Sequence, residues 1–109
     1  MIRKRNIFEP LREDCGTSEV FEVLVRKKDL LLERIVSNGQ TTPEGEWYDQ
    51  EWDEWVILLS GQAVVGFEKG ERVELLPGDY LLIPAHCRHS VEFTTTEPPC
   101  VWIALHGNL

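Results

Sequence analysis

The sequence predicts an all-β protein, a sandwich or barrel of about eight or more short antiparallel strands. Two observations carry this. Short runs rich in Val, Ile, Leu and aromatic residues recur along most of the chain, and Gly or Pro separates them every several residues from Gly39 onward. Tight-turn triplets, Ser60-Gly61-Gln62 and Lys69-Gly70-Glu71, also sit where hairpin corners are needed.

Taken in order, the expected strands begin with Val20 to Arg26 and Leu30 to Ser37. The second is apolar enough to suit helix or strand, and periodicity alone does not decide. Trp47, Glu51, Trp52 and Trp55 fall at helical spacing, so Trp47 to Val56 has an alternative reading as an amphipathic helix with its Trp face inward. Strand, turn and strand is preferred there, because Glu54 to Ser60 continues as a run of β-formers ending at a hairpin Gly. Gln62 to Glu68, Arg72 to Leu76, Tyr80 to Ile83, His89 to Thr95 and Cys100 to His106 complete the set, with Pro77-Gly78-Asp79 as a further turn. The first 15 or so residues carry no comparable signal.

Composition limits the function. With 109 residues and 12.6 kDa there is room for one domain, read as spanning 1–109, and none for an added helix-turn-helix. Acids number 19 against 11 bases, a net charge of −8, which excludes a nucleic-acid binder working through net positive charge. The basic cluster Arg3-Lys4-Arg5 is too short to reverse this and reads as a solvated tail. The acidity is concentrated: Glu44, Glu46, Asp49, Glu51, Asp53 and Glu54 lie within one eleven-residue stretch that holds no base. A solvated loop accounts for most of these side chains, and the remainder is a local negative field beside Glu54 that favours a cation.

No run approaches the roughly 20 apolar residues that span a bilayer, so no membrane partner is expected. Met1-Ile2 is followed at once by three charges, unlike a signal peptide. Cys15, Cys87 and Cys100, an odd number at wide spacing, imply reduced thiols in a cytoplasm. There is no CxxC pair for a zinc ribbon or a thioredoxin-type site.

The most specific signal is a spacing. Glu54 is followed after six residues by Gly61, and Gly78 after five residues by Pro84, with His89 further on. In these positions the sequence resembles the cupin superfamily, specifically its small single-domain, RmlC-like members. Glu54 and Gly61 match the Glu and closing Gly of that family's first motif. Gly78, Pro84 and His89 match the second. The resemblance covers roughly Leu31 to Leu105 and implies a double-stranded β-helix, or jelly-roll-like barrel, with a core over about 31–106 and an N-terminal extension over 1–19.

The departures bear on function. The family's His-x-His falls on Tyr48-Asp49-Gln50, His86 replaces a Gly, and Phe93 replaces a final Asn. Of the four positions through which most metal-binding cupins hold a divalent ion, only Glu54 and His89 keep their residue types. Tyr48, Gln50 and Glu54 share strand parity and are expected to face one barrel mouth. Gln50, Glu54 and His89 are therefore the candidate metal ligands, with Tyr48 as a weaker donor. The alternative is a hydrogen-bonded polar cluster without metal.

The remaining candidates divide. Tyr48 and His106 are the candidate acid or base, although His106, near the end of the last strand, reads more simply as a terminal surface residue. His86 reads as an exposed turn residue and Cys87 as a small buried hydrophobe. The tryptophans read as packing.

Two functions follow. One is a cupin binding a small organic molecule with a divalent metal, acting as a dioxygenase, isomerase or similar enzyme. The other is a metal-free cupin serving as a ligand-binding or accessory dimerisation module. The resemblance implies a homodimer in either case.

Overall fold

The computed structural model describes residues 1–10 and 18–109, so Cys15 and residues 11–17 of the expected N-terminal extension lie outside the described residues. Eight strands are present: β1 (Val20–Lys27), β2 (Leu30–Ser37), β3 (Asp53–Ser60), β4 (Ala63–Phe67), β5 (Arg72–Leu75), β6 (Tyr80–Ile83), β7 (His89–Thr94) and β8 (Cys100–Gly107). Each expected run is a strand, with ends within one residue of those read from the sequence. No helix occurs among the described residues, hence none long and apolar enough to cross a membrane.

The strands form two antiparallel sheets, one of five in the order β1-β2-β8-β3-β6 and one of three in the order β5-β4-β7. The last strand therefore lies between β2 and β3, which are far from it in sequence. Alternate residues of each strand turn inward, so the core takes Val56 and Leu58 from β3, Ala63 and Val65 from β4, and Cys100, Trp102 and Ala104 from β8. Leu75 and Ile83 close it. Burying each of the larger aliphatic side chains contributes about 1.5–3 kcal/mol.

Over Trp47 to Val56 the helical alternative fails, and of the preferred strand, turn and strand the second strand forms, as the start of β3. The residues before it are neither helix nor strand. Tyr48 forms an isolated bridge in which its N–H donates to the His89 carbonyl (2.7 Å) and the His89 N–H donates back (3.1 Å), and the Gln50 carbonyl accepts from the His86 N–H (2.8 Å). Backbone pairing across the barrel mouth, rather than a Trp face, holds these residues.

The motif glycines have different reasons. At Gly61, φ is +84° and a Cβ would stand 2.8 Å from both Cys100 Sγ and Thr95 Oγ1, so conformation and space both demand glycine. At Gly78, φ is +97° with open space around it, so conformation alone does.

The outer face of β1 and β2 is not left to solvent. Arg34, 3% exposed, donates from Nη1 to the carbonyls of Ile7 (2.9 Å) and Glu9 (2.8 Å), seating the N-terminal segment on the sheet. Arg5 adds contacts to Glu9 and Glu22 (2.6 and 3.4 Å). Arg3, Lys4 and Arg5 are all exposed, and Arg5 differs only in pairing with these acids at the surface.

Candidate functional site

A cavity of about 90 Å³ opens between the two sheets. Tyr48, Gln50, Glu54 and His89, four residues singled out from the sequence, all line it. The parity argument reached this grouping by an incomplete route, since Tyr48 and Gln50 sit on the bridged segment and not on a strand. The floor is apolar, built from Ile35, Val56, Val65, Ile83, Val91 and Trp102.

His106 also lines the cavity and is 8% exposed, which overturns its reading as a terminal surface histidine. The reason is register. On β8, His106 lies directly opposite Glu54 of β3 and, on the other side, opposite Leu31 of β2. Glu33, two residues along β2, is its diagonal neighbour, and His106 Nε2 lies 3.1 Å from Glu33 Oε1. A carboxylate only accepts, so Nε2 carries the proton in this contact.

Glu33 was missed in the sequence. Its signal was a lone acid at the inward parity of an apolar strand, and the adjacent Arg34 obscured which face was which. Glu19, also lining the cavity, accepts from Ser37 Oγ, whose own oxygen accepts from Trp102 Nε1 (3.1 Å).

His89 is 6% exposed and stacked on Tyr48, with ring centroids 5.5 Å apart. Its Nδ1 lies 2.9 Å from the Cys87 carbonyl, so Nδ1 donates there and Nε2 is the ring nitrogen left facing the cavity. Nε2 faces Glu54, 3.7 Å from Oε1, too far for a hydrogen bond but within ion-pair distance. Burial pushes the Glu54 carboxyl above the usual carboxylate range. The His106 and His89 rings oppose the shift, and Glu33 adds to it. Burial also raises the Tyr48 phenol, with the charges of Glu19 and Glu54 acting in the same direction.

Two candidates fall outside the cavity. His86 has an exposed side chain, and its Nδ1 lies 2.8 Å from Asp49 on the rim. It holds φ +61°, a conformation suited to the glycine it replaces. Cys87 is partly buried against the core and is a free thiol, as is the buried Cys100.

As metal donors, Glu54 and His89 offer one carboxylate and one imidazole with its second nitrogen held by a carbonyl, the usual support for a ligating histidine. Gln50 adds only an amide, Tyr48 is engaged in stacking, and His106 is engaged by Glu33. Among the described residues no three His, Cys, Asp or Glu are placed to hold one ion. The set is thinner than the three or four strong donors typical of a tight site.

A family model for the cupin domain matches residues 35–106. The chain belongs to the cupin family. Its fold is that of solved cupins. A structure of a provisionally named "mannose-6-phosphate isomerase" from Ralstonia eutropha is 40% identical, covers 99% of this chain and 100% of its own, and superposes with a TM-score of 0.90. A cupin superfamily protein from Desulfitobacterium hafniense is 18% identical over 94% of this chain and 93% of its own, with a TM-score of 0.74. The Fe(II) form of HppE is 16% identical over 81% of this cupin and 49% of its own chain, with a TM-score of 0.68. At these last two identities the likeness is one of fold alone. No curated protein sequence matches.

Proposed function

We propose that this cupin binds a small organic molecule inside its barrel, with the His106–Glu33 pair as a proton donor and acceptor at the bound molecule. One observation carries the reading: an apolar floor meets a polar end where Tyr48, Gln50, Glu33, Glu54, His89 and His106 converge. An apolar wall binds by excluding water, and the few polar groups orient what is bound. A carboxylate beside an imidazole fixes the ring and stabilises its charged form during proton transfer. A fragment screen by saturation-transfer NMR, followed by shift mapping, tests this. Bound fragments are expected to perturb Tyr48, Trp102 and Val65. Hits that map only to the outer surface would count against it.

A second reading is favoured by the placing of His89, whose Nδ1 is held by the Cys87 carbonyl while Nε2 faces the cavity beside Glu54. Here Gln50, Glu54 and His89 hold a divalent metal, which when bound supplies Lewis acidity at the cavity. Elemental analysis of protein purified without a nickel column checks it, with His89→Ala and Glu54→Ala as controls. Near-stoichiometric metal lost in both variants supports this reading, and trace metal in the wild type rejects it.

A further inference from the structure

We propose that a second copy of this chain covers the outer face of the five-stranded sheet, making a homodimer of two stacked sheets. The contact is independent of what the barrel binds. Glu54 and His106 turn into the cavity on one side of the sheet, while their neighbours Trp55 and Leu105 turn out on the other, so each copy keeps its own cavity.

Residues directly opposite one another on neighbouring strands share a face, and the register links two outward rows across four strands. One row is Leu32, Leu105, Trp55 and Leu82, and the other is Arg34, Ile103, Ile57 and Tyr80. Arg34 is taken up by the N-terminal segment, and every other member of both rows is apolar or aromatic. Among the described residues nothing covers the far end, where Tyr80 is 61% exposed and Leu82 59%, with the Trp55 and Tyr80 rings 5.3 Å apart. An antiparallel sheet with one wet face alternates apolar with polar residues, and here both faces are apolar. The small sheet gives the contrast within the same molecule. Its outer face carries Glu74 and an Arg72–Glu92 ion pair (2.6 Å) laid over Gly66, as a solvated face should.

The chemistry of this face names its occupant. Two chains of net charge −8 repel, yet these rows bring no exposed charge of either sign to the contact. A foreign partner would find little polar pattern to recognise there, whereas interfaces between identical subunits are the more apolar class. The shape agrees, since twisted sheets stack about 10 Å apart with their strands within about 30° of each other. So does the area. With strands of eight residues at about 3.3 Å each, and five strands about 4.8 Å apart, the face is roughly 26 by 24 Å in plan. Its corrugated surface is larger than that plan, on the scale of the about 800 Å² that each partner gives to a stable interface.

Light scattering on the full chain at micromolar concentration is expected to give twice the 12.6 kDa mass. In a mixture of isotope-labelled and unlabelled wild type, filtered NOE spectra should place Tyr80, Leu82 and Ile103 of one copy against the same rows of the other. Leu82→Glu sets an unpaired charge in the contact and is expected to raise the dimer Kd at least about a hundredfold, so that the variant scatters as a single chain. Phe93→Glu makes a like change at a residue 48% exposed on the small sheet and should leave the mass doubled. Amide spectra of both variants check that they are folded. A wild type that scatters as a single chain overturns the proposal. So does a dimer that survives in folded Leu82→Glu, or one whose contacts between copies fall on the β1 edge or the small sheet. If Leu82→Glu does not fold, the filtered NOE contacts of the wild type decide alone.

Discussion

Replacing Arg34 by Met is expected to lower the free energy of unfolding by about 3 kcal/mol and to open the N-terminal segment to trypsin. Met preserves much of the side chain's apolar stem, so the loss isolates the guanidinium. That group makes two charge-assisted hydrogen bonds, to the carbonyls of Ile7 and Glu9. It also stands 2.9 Å from Glu22, through Nε to Oε1, with the N–H directed off the oxygen, so this pair attracts mainly through charge. Removing the cation leaves Glu22 partly buried without its partner, and frees two carbonyls. Glu22 keeps 26% side-chain exposure, so water relieves some of the cost and the effect falls at the lower end of the range for broken buried pairs. Urea unfolding measures the stability. Trypsin cleavage at Arg3, Lys4 and Arg5 measures the release of the segment. A change under about 0.5 kcal/mol, typical of ordinary surface substitutions, would show that the pair contributes nothing net.

Glu54→Gln is expected to do the opposite and stabilise the fold at neutral pH, by on the order of 1–2 kcal/mol. Burial raises the Glu54 carboxyl above its unfolded value, so the folded state resists ionisation more than the unfolded chain does. The sign follows from linkage. A carboxyl whose folded pKa is raised costs stability as pH rises through its unfolded value, and the full cost is present above the folded one. Gln carries no such cost. The gain should therefore be largest at neutral pH and shrink as the solution is made acid, where wild-type Glu54 is protonated in both states. Unfolding curves of both proteins from acid to neutral pH check this. A gain of constant size across the range would place its origin outside the carboxylate's desolvation. A carboxylate kept at a cost to stability, facing a cavity, is what a functional group looks like in the energetics.

The strands were legible because each has a local signature. Val, Ile and aromatic runs are bounded by turns whose glycines need positive φ, as at Gly61 and Gly78, and such signals do not depend on distant residues. Glu54 and His89 were legible through the spacing of the motifs around them. The segment from Trp47 to Trp52 was not, because its structure depends on pairing with His89, some forty residues on. Periodicity describes a segment's own faces and carries no information about a partner strand.

His106 and Glu33 mark the same boundary within the site. The sequence by itself determined the eight strands and the acidic stretch that carries Glu54. It also determined the likeness to cupins through five motif residues. Tertiary structure alone decided that β8 lies between β2 and β3, and so that a histidine three residues from Leu109 is buried between Glu33 and Glu54. Alternation along a strand tells which side a residue faces. Which residues it meets there is set by strand order and register, and these arise from packing of the whole barrel.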